Sequence, residues 1–391
     1  MSRQRPTTRE WGEGVDESVL ITGGAGFIGS YLADELLAHG YRVRALDALV
    51  PQVHGSGRRR PDYLDPEVEL VVGDVRDPDV VARSLRGVDA VVHCAAAVGV
   101  GQSMYEIAAY TGANNLGTAV LLEALLRSPV SRLVVLSSMS IYGEGLYRSA
   151  DGALRQDVTR SPEDLRQGVW EPLDEGGAPL EPLPTPETKA PALTSVYALS
   201  KYDQERMSLL VGGAYDIPTV ALRLFNVYGP RQALSNPYTG VLAIFAARLL
   251  NGHSPLVYED GEQRRDLVSV HDVARAVRLA LETPEVGGVV NVGSGVCHTV
   301  RSLGERLAAA LGRPDLAPTI TRHYRVGDVR HCYADISRAR AALGYEPRVT
   351  LDEGLAELAD WLQRQTAEDH VGQAQAELAA RGLQWGEVSP R

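Results

Sequence analysis

Cysteine is scarce in this 391-residue chain, which carries only Cys94, Cys297 and Cys332. Three scattered thiols build neither a disulfide framework nor a zinc site, so the chain reads as a soluble protein of a reducing cytoplasm with no metal centre. Long apolar runs are missing too. None approaches the ~20 residues that a membrane-spanning helix needs. The first 18 residues are polar and charged, without the apolar stretch of a signal peptide. Positive charge is also in short supply: 39 Lys+Arg stand against 50 Asp+Glu, a net charge of −11. That balance argues against a general nucleic-acid-binding role, because phosphate backbones attract cationic faces. It leaves room for a small anionic ligand in a locally basic pocket. What remains is ordinary globular composition, 44% apolar with 39 Gly and 22 Pro. The length suits two to three domains or one enlarged α/β unit.

Residues 1–17 read as a loose, flexible tail. Order begins at Ser18-Val19-Leu20-Ile21-Thr22, an apolar run ending in glycines, which reads as a buried parallel strand. Helical spacing follows from Phe27 to His39, with Gly40 as its stop. Further strands are expected at Arg42–Asp47, Val68–Val72, Ala90–Cys94 and Arg132–Ser137. Helices are expected at Asp79–Leu85 and Thr111–Ser128. Alternating strands and helices imply right-handed β-α-β units, hence α/β architecture with a doubly wound parallel sheet of Rossmann type. The pattern breaks between 144 and 195, where Pro, Gly, Asp and Glu dominate with little periodicity. Such a stretch is uncommon inside a compact domain and reads as an insertion over a pocket, or a lid. Regular pattern resumes with a helix over Val196–Val211, a strand at Thr219–Arg223, and a helix over Val241–Leu250. Val268 and Val270 flank a short strand before a helix from Asp272. The division expected is a nucleotide-binding domain over 18–222 plus about 265–282, and a smaller C-terminal α/β substrate domain over 223–264 plus 283–365. Residues 366–391 read as an extra polar helix and tail.

Between the first strand and first helix lies Thr22-Gly23-Gly24-Ala25-Gly26-Phe27-Ile28-Gly29. Glycine permits the tight turn and the close approach of backbone to a pyrophosphate, and the amides of the helix N-terminus meet its charge. A glycine-rich string alone is weak, but here it sits between strand and helix, the context the motif demands. Asp47 ends the second strand, 18 residues after Gly29. A carboxylate there accepts from a ribose diol and repels a 2′-phosphate, which favours NAD over NADP. Arg58-Arg59-Arg60 could serve a phosphate, although an exposed loop is the plainer reading. Asp74-Val75 follows the third strand, where the acid could meet an adenine amino group or simply close a turn.

Tyr197 and Lys201 stand four apart on an expected helix and so share a face. A free tyrosine has a pKa near 10. A lysine ammonium and a nicotinamide cation, each roughly 6 Å from the phenol oxygen at an effective dielectric of about 20, contribute roughly 3 kcal/mol apiece. Together they would bring the phenol toward about 6–7, where a general base is most useful. Ser138 closes the fifth strand beside the cofactor crevice, where its hydroxyl can hold the substrate oxygen.

These residues resemble the extended short-chain dehydrogenase/reductase family, in its branch acting on nucleotide-diphosphate sugars. The likeness spans about 18–360. It rests on the glycine turn, Asp47, His93-Cys94-Ala95-Ala96, Asn115-Leu116-Gly117-Thr118, Ser137-Ser138, Ile141-Tyr142-Gly143, Tyr197 with Lys201, and Arg223-Leu224-Phe225-Asn226-Val227-Tyr228-Gly229-Pro230. It continues through Asp260-Gly261-Glu262-Gln263-Arg264-Arg265-Asp266 and Asn291-Val292-Gly293-Ser294-Gly295. The resemblance implies Ser138, Tyr197 and Lys201 as the catalytic trio. It implies NAD held by Gly23, Gly26, Phe27, Ile28, Gly29, Asp47, Asp74, Val75 and Ala95 together with Tyr197 and Lys201. It places Ser138, Ser140, Asn226, Arg265, Arg325 and Asp328 at the substrate. The family's 4,6-dehydratases carry an Asp-Glu pair after the catalytic hydroxyl residue. Met139 and Ser140 stand there instead, which argues against dehydration and leaves epimerisation, simple oxidation or reduction, and oxidative decarboxylation; an epimerase that removes and returns a hydride at C4 demands least. The alternatives are a nucleotide-sugar 4-reductase or dehydrogenase that releases its cofactor, and a non-catalytic NAD-sensing protein. The 54 positions from Gly143 to Tyr197 exceed the usual family spacing. The chain as a whole resembles the UDP-glucose 4-epimerase-like and dTDP-L-rhamnose 4-epimerase-like branch, and the insertion is similar to that of a subgroup of bacterial nucleotide-sugar epimerases that includes dTDP-L-rhamnose 4-epimerase-like enzymes, but it has no cysteine for a metal knuckle. A dTDP- or UDP-linked sugar and a homodimer, paired through helices Thr111–Ser128 and Val196–Val211, follow from the same likeness.

Overall fold

The computed structural model describes residues 17–386 except 239 and 326. The expected tail at 1–17 therefore lies outside the described residues apart from Glu17. Seven parallel strands form the main sheet: β1 (Ser18–Thr22), β2 (Arg42–Asp47), β3 (Glu69–Val72), β4 (Ala90–His93), β5 (Arg132–Ser138), β6 (Thr219–Leu224) and β7 (Gly288–Val292). Their order is β7-β6-β5-β4-β1-β2-β3. The chain reverses direction of growth between β1 and β4, so a crevice opens there at the strands' carboxyl ends. Successive side chains enter two different cores. Val19 and Ile21 join one, whereas Leu20 joins the other; Val134 and Leu136 oppose Leu133 and Val135 in the same way. Both faces are covered, which is why these strands read as unbroken apolar runs rather than alternating ones. A third cluster, including Phe245, Leu303, Leu307 and Leu358, forms the core of a smaller lobe.

Helix α1 (Phe27–Ala38) leaves the glycine turn, and α2 (Gly117–Arg127) and α3 (Val196–Ala214) cover the sheet beside β5. The helix expected over Thr111–Ser128 is not uniform. A short α-helical turn at Ile107–Tyr110 runs into a wider π-helical turn at Thr111–Leu116 before α2. The wide turn sets Asn114 inward, where its side chain bonds both the N–H and the C=O of Ala97 and the Ser200 hydroxyl. Such turns recur at functional sites.

Four expectations need correction. The strand flanked by Val268 and Val270 is longer, Arg264–Ser269, and α4 (Val270–Glu282) starts at once because Ser269 accepts from the His271 amide and caps it. β7 falls in the range given to the smaller domain, yet it pairs with β6 in the main sheet. The insertion is not irregular. Leu146–Arg148 pairs antiparallel with Leu154–Arg155 and with Glu181–Leu183, and Pro162–Arg166 is a helical turn. It is also pinned rather than hinged like a lid. The Gly145 amide bonds His331 O and the Thr185 amide bonds Tyr333 O. Arg160 of the insertion bridges Glu144 at 3.2 Å and Glu259 at 2.6 Å, while Arg330 of the smaller lobe holds Glu171 of the insertion. Finally, the C-terminal segment is half apolar: α5 (Val371–Ala380) buries Val371, Ala374 and Leu378, and Gln384–Gly386 pairs with His323–Arg325.

Candidate functional site

The glycine turn is shaped by contacts that exclude side chains. Gly23 has φ +70°, and a Cβ there would lie 2.9 Å from the Ala95 amide. A Cβ on Gly29 would fall 2.3 Å from Gly23 O, so α1 approaches β1 too closely for anything larger. At Gly26 a Cβ would meet only Gly23 O, at 3.3 Å. The reason for glycine there lies in the space that a phosphate would fill. Helix α1 has neither a side-chain cap nor an acid in its first turn, which leaves the amides at Phe27 and Ile28 suited to an anion. Asp47 accepts from the amides of Ala25 and Leu49, at 3.0 and 2.9 Å, with His54 at 3.5 Å. The carboxylate is thereby fixed beside the turn with acceptor capacity left for a ribose diol. These residues fit NAD.

Other expected cofactor residues are placed less simply. Asp74 is spent on Arg76, with oxygen–nitrogen distances of 2.9 and 2.5 Å. This pairing and the backbone N–H of Arg76 hold its carboxyl below the usual range despite partial burial. Val75 is buried against Gly117. Ala95 N bonds the Thr22 hydroxyl, beneath the turn. Arg58 and Arg60 bond backbone carbonyls of Ala48 and of Val68, Leu64 and Asp65, which makes them loop clasps. An open cleft of about 870 Å³ passes this end, lined by His54, Arg59, Tyr63 and Arg231 among others.

Ser138 and Tyr197 lie close enough that the Ser138 hydroxyl acts on the ionisation of the phenol. Ser140 donates to Ser138 Oγ through both its amide, at 3.2 Å, and its hydroxyl, at 2.9 Å. Tyr197 also packs edge-on against Tyr110, with ring centroids 6.4 Å apart. Burial raises the phenol above its usual value near 10, and the Ser138 hydrogen bond pulls it partly back. Lys201, expected to acidify the phenol together with a nicotinamide cation, is not among the groups that shift Tyr197 here. The Lys201 ammonium instead donates to Leu136 O and Gln204 Oε1, both at 2.6 Å. Burial pushes it down to about 8, with Cys94 and Glu205 acting in the other direction. Gln204, which sequence reasoning missed, passes the contact on: its amide donates to Thr118 Oγ1 at 2.9 Å and faces His93 Nε2 at 3.2 Å. Burial, helped by Lys201, pushes His93 down to about 3 and keeps it neutral. The available signal was Gln204's spacing, one helical turn beyond Lys201.

On the smaller lobe, Asn226 has a buried side-chain oxygen without a hydrogen-bond partner. Arg325 pairs with Asp328 at 3.0 Å and lies over the Tyr258 ring, 4.9 Å from its centroid. Val326, between them, lies outside the described residues. Arg265 is directed differently from the expectation of a free phosphate partner. Its guanidinium donates to the carbonyls of Arg264, Arg330 and Val329. It still adds positive potential at Asp328.

The parallel sheet, the glycine turn at its switch point and the Ser–Tyr–Lys cluster at the ends of β5 and α3 define a nicotinamide-dinucleotide-binding α/β protein of the extended short-chain dehydrogenase kind. The NAD-dependent epimerase/dehydratase family matches residues 19–162 and 175–293. A dTDP-L-rhamnose 4-epimerase of Burkholderia thailandensis is 35% identical over 355 residues, covering 89% of this chain and 96% of that protein. Among solved structures, a UDP-glucose 4-epimerase of Thermotoga maritima with UDP-glucose is 31% identical with a TM-score of 0.71, over 89% of this chain and 99% of that one. The Thermus thermophilus UDP-glucose 4-epimerase complexed with NAD is 32% identical, also with a TM-score of 0.71, over 89% and 100% of the two chains. The chain belongs to the NAD-dependent epimerase/dehydratase family. None of its described helices is long and apolar enough to cross a membrane.

Proposed function

We propose that this chain is a nucleotide-diphosphate-sugar 4-epimerase acting on a dTDP- or UDP-linked sugar with NAD retained. The observation that carries the reading is the placement of Ser138, at the carboxyl end of β5, beside the Tyr197 phenol, with a buried Lys201 one helical turn on. NAD, when bound, supplies a reversible hydride acceptor for C4 and a positive ring beside Tyr197. Tyr197 takes the proton of the C4 hydroxyl at its phenol oxygen and later gives it back. Ser138 holds the same sugar oxygen, its own oxygen steadied by Ser140. Lys201 contributes positive charge from a dry pocket. Because burial raises the phenol, forming the base depends on positive charge nearby, from Lys201 and from the nicotinamide that NAD would bring. Between the two proton transfers, Asn226, Arg325 and Asp328 hold the nucleotide end of the substrate, with Arg265 adding positive potential, while the keto sugar turns. Binding energy remote from the reacting carbon thus retains the intermediate.

Elimination of water lacks its acid and base here. Met139 packs against the core and Ser140 serves Ser138. The nearest acid along the chain, Glu144, accepts from Tyr147 and from the amides of Arg330 and His331, and pairs with Arg160. A cytoplasmic homodimer completes the proposal. Three free cysteines suit a reducing compartment, and α3 with its neighbouring helices exposes Ile107, Leu116, Leu199 and Leu210.

The test is NMR of UDP- and dTDP-hexoses with purified protein and no added cofactor. Two C4 epimers should interconvert, and Tyr197→Phe should lower turnover by about 10² or more. Stoichiometric release of NADH without an epimer would instead establish the dehydrogenase alternative. Unchanged function in Tyr197→Phe would revive the NAD-sensing one.

A further inference from the structure

The C-terminal segment beyond residue 366 has no task in this scheme, yet its side chains reach the wall that carries Arg325. Helix α5 bridges the two sides of the crevice. Leu378 packs on Gly101, where an added Cβ would lie 3.3 Å from its side chain. Glu377 accepts from the hydroxyls of Tyr105 and Tyr238, each at 3.1 Å. Past the helix, Gln384–Gly386 adds an antiparallel strand to His323–Arg325, so the backbone that carries Arg325 is ordered by the extension.

The sharpest contact is at Tyr258. Its hydroxyl donates to Gln384 Oε1 at 2.9 Å and accepts from Gln375 Nε2 at 3.1 Å. A phenol bonded both as donor and as acceptor, to side chains from a helix and from a strand, cannot rotate about its side-chain bonds without losing one of them. Its ring is the surface on which the Arg325 guanidinium rests, and Arg325 in turn pairs with Asp328. The chain of contacts therefore runs from two glutamines of the extension, through one aromatic ring, to two residues proposed to meet the nucleotide.

We propose that Gln375 and Gln384 are positioning residues for the nucleotide end of the substrate site, holding the Tyr258 ring and through it Arg325. The proposal rests on the reading that Arg325 and Asp328 meet a nucleoside diphosphate. Fixing these groups before the ligand arrives removes an ordering cost from binding, so the benefit falls on affinity rather than on proton transfer.

The test is calorimetric titration of the full-length protein with UDP and with dTDP, alongside steady-state kinetics. Gln375→Leu and Gln384→Leu should each weaken nucleotide binding and raise KM about three- to tenfold, the range for one lost hydrogen bond, with a smaller change in kcat. Tyr258→Phe should do the same, and in that background either glutamine change should add less than twofold. Gln384→Glu keeps an acceptor for the phenol and should restore affinity relative to Gln384→Leu. Glutamine variants that bind as wild type does, or that lose as much affinity with Phe at 258 as with Tyr, overturn the proposal. A leucine variant that fails to fold leaves Tyr258→Phe and Gln384→Glu to decide. Wild-type protein that binds neither nucleotide overturns the functional reading itself, a failure visible before any variant is made.

Discussion

Glu205 offers a demanding check on how the catalytic helix is held. It sits on α3, one turn beyond Lys201, with its side chain fully buried, and Arg223 on β6 is 5% exposed. The carboxylate accepts from Arg223 Nε and Nη2 at 2.9 and 2.6 Å and from the Ser137 hydroxyl at 2.7 Å. Arg223 also lies over the Tyr142 ring, 4.7 Å from its centroid. Glu205→Leu strands a guanidinium with no counter-charge in a dry place, which costs about 3–5 kcal/mol. It also leaves the Ser137 hydroxyl unpaired, for about 1 kcal/mol more. At about 2 °C per kcal/mol for a chain of this size, the melting temperature should fall by roughly 10 °C. Adding Arg223→Met removes the stranded charge, and the pair Glu205→Leu/Arg223→Met should recover to within about 1–2 kcal/mol of wild type. Urea unfolding followed by circular dichroism measures all three proteins. The reasoning is refuted if the single variant loses less than about 1 kcal/mol, or if the double variant is as unstable as the single one. Because Ser137 adjoins Ser138 and loses its acceptor in both variants, both should turn over more slowly than wild type.

Two further outcomes follow from the same geometry. Lys201 is pushed down to about 8, so its ammonium persists below that pH and discharges above it. With His93 neutral and Cys94 and Glu205 as the other ionisable groups facing it, turnover should fall above about pH 8. For stability the sign is opposite: a lysine whose folded pKa lies below 10.5 makes the fold gain stability as pH rises from about 8 to 10.5. A rate that climbs without a break through pH 9 would remove Lys201 from the proposed role. The dimer is checked by light scattering. Leu210 is 63% exposed and Leu199 46% exposed on α3, and Leu199→Glu/Leu210→Glu should convert a dimer to a monomer. A wild-type protein that is already monomeric at micromolar concentration would refute it.

Much of this molecule was legible before any coordinates. Val19-Leu20-Ile21 and Val91-Val92 could be read as strands because a parallel sheet covered on both faces buries every residue, and an unbroken apolar run is the direct consequence. The glycine turn was legible because Gly23 and Gly29 leave no room for a side chain. The insertion was not. Its strands are only two or three residues long, and it is held by Arg160 and Arg330 against acids as distant as Glu259. Ion pairs over such separations leave no periodic trace. Nor could spacing say where the Lys201 ammonium points, since Leu136 and Gln204 take it only once β5 and α3 are packed.

Local chemistry alone thus determined the sheet-forming runs, the phosphate-cradling turn and the Tyr197–Lys201 pair, because each depends on neighbours a few residues apart. Tertiary structure decided how the base is poised, how the insertion is clasped and how the last residues reach Tyr258. Burial and long-range pairing set those, and both exist only after distant segments have come together.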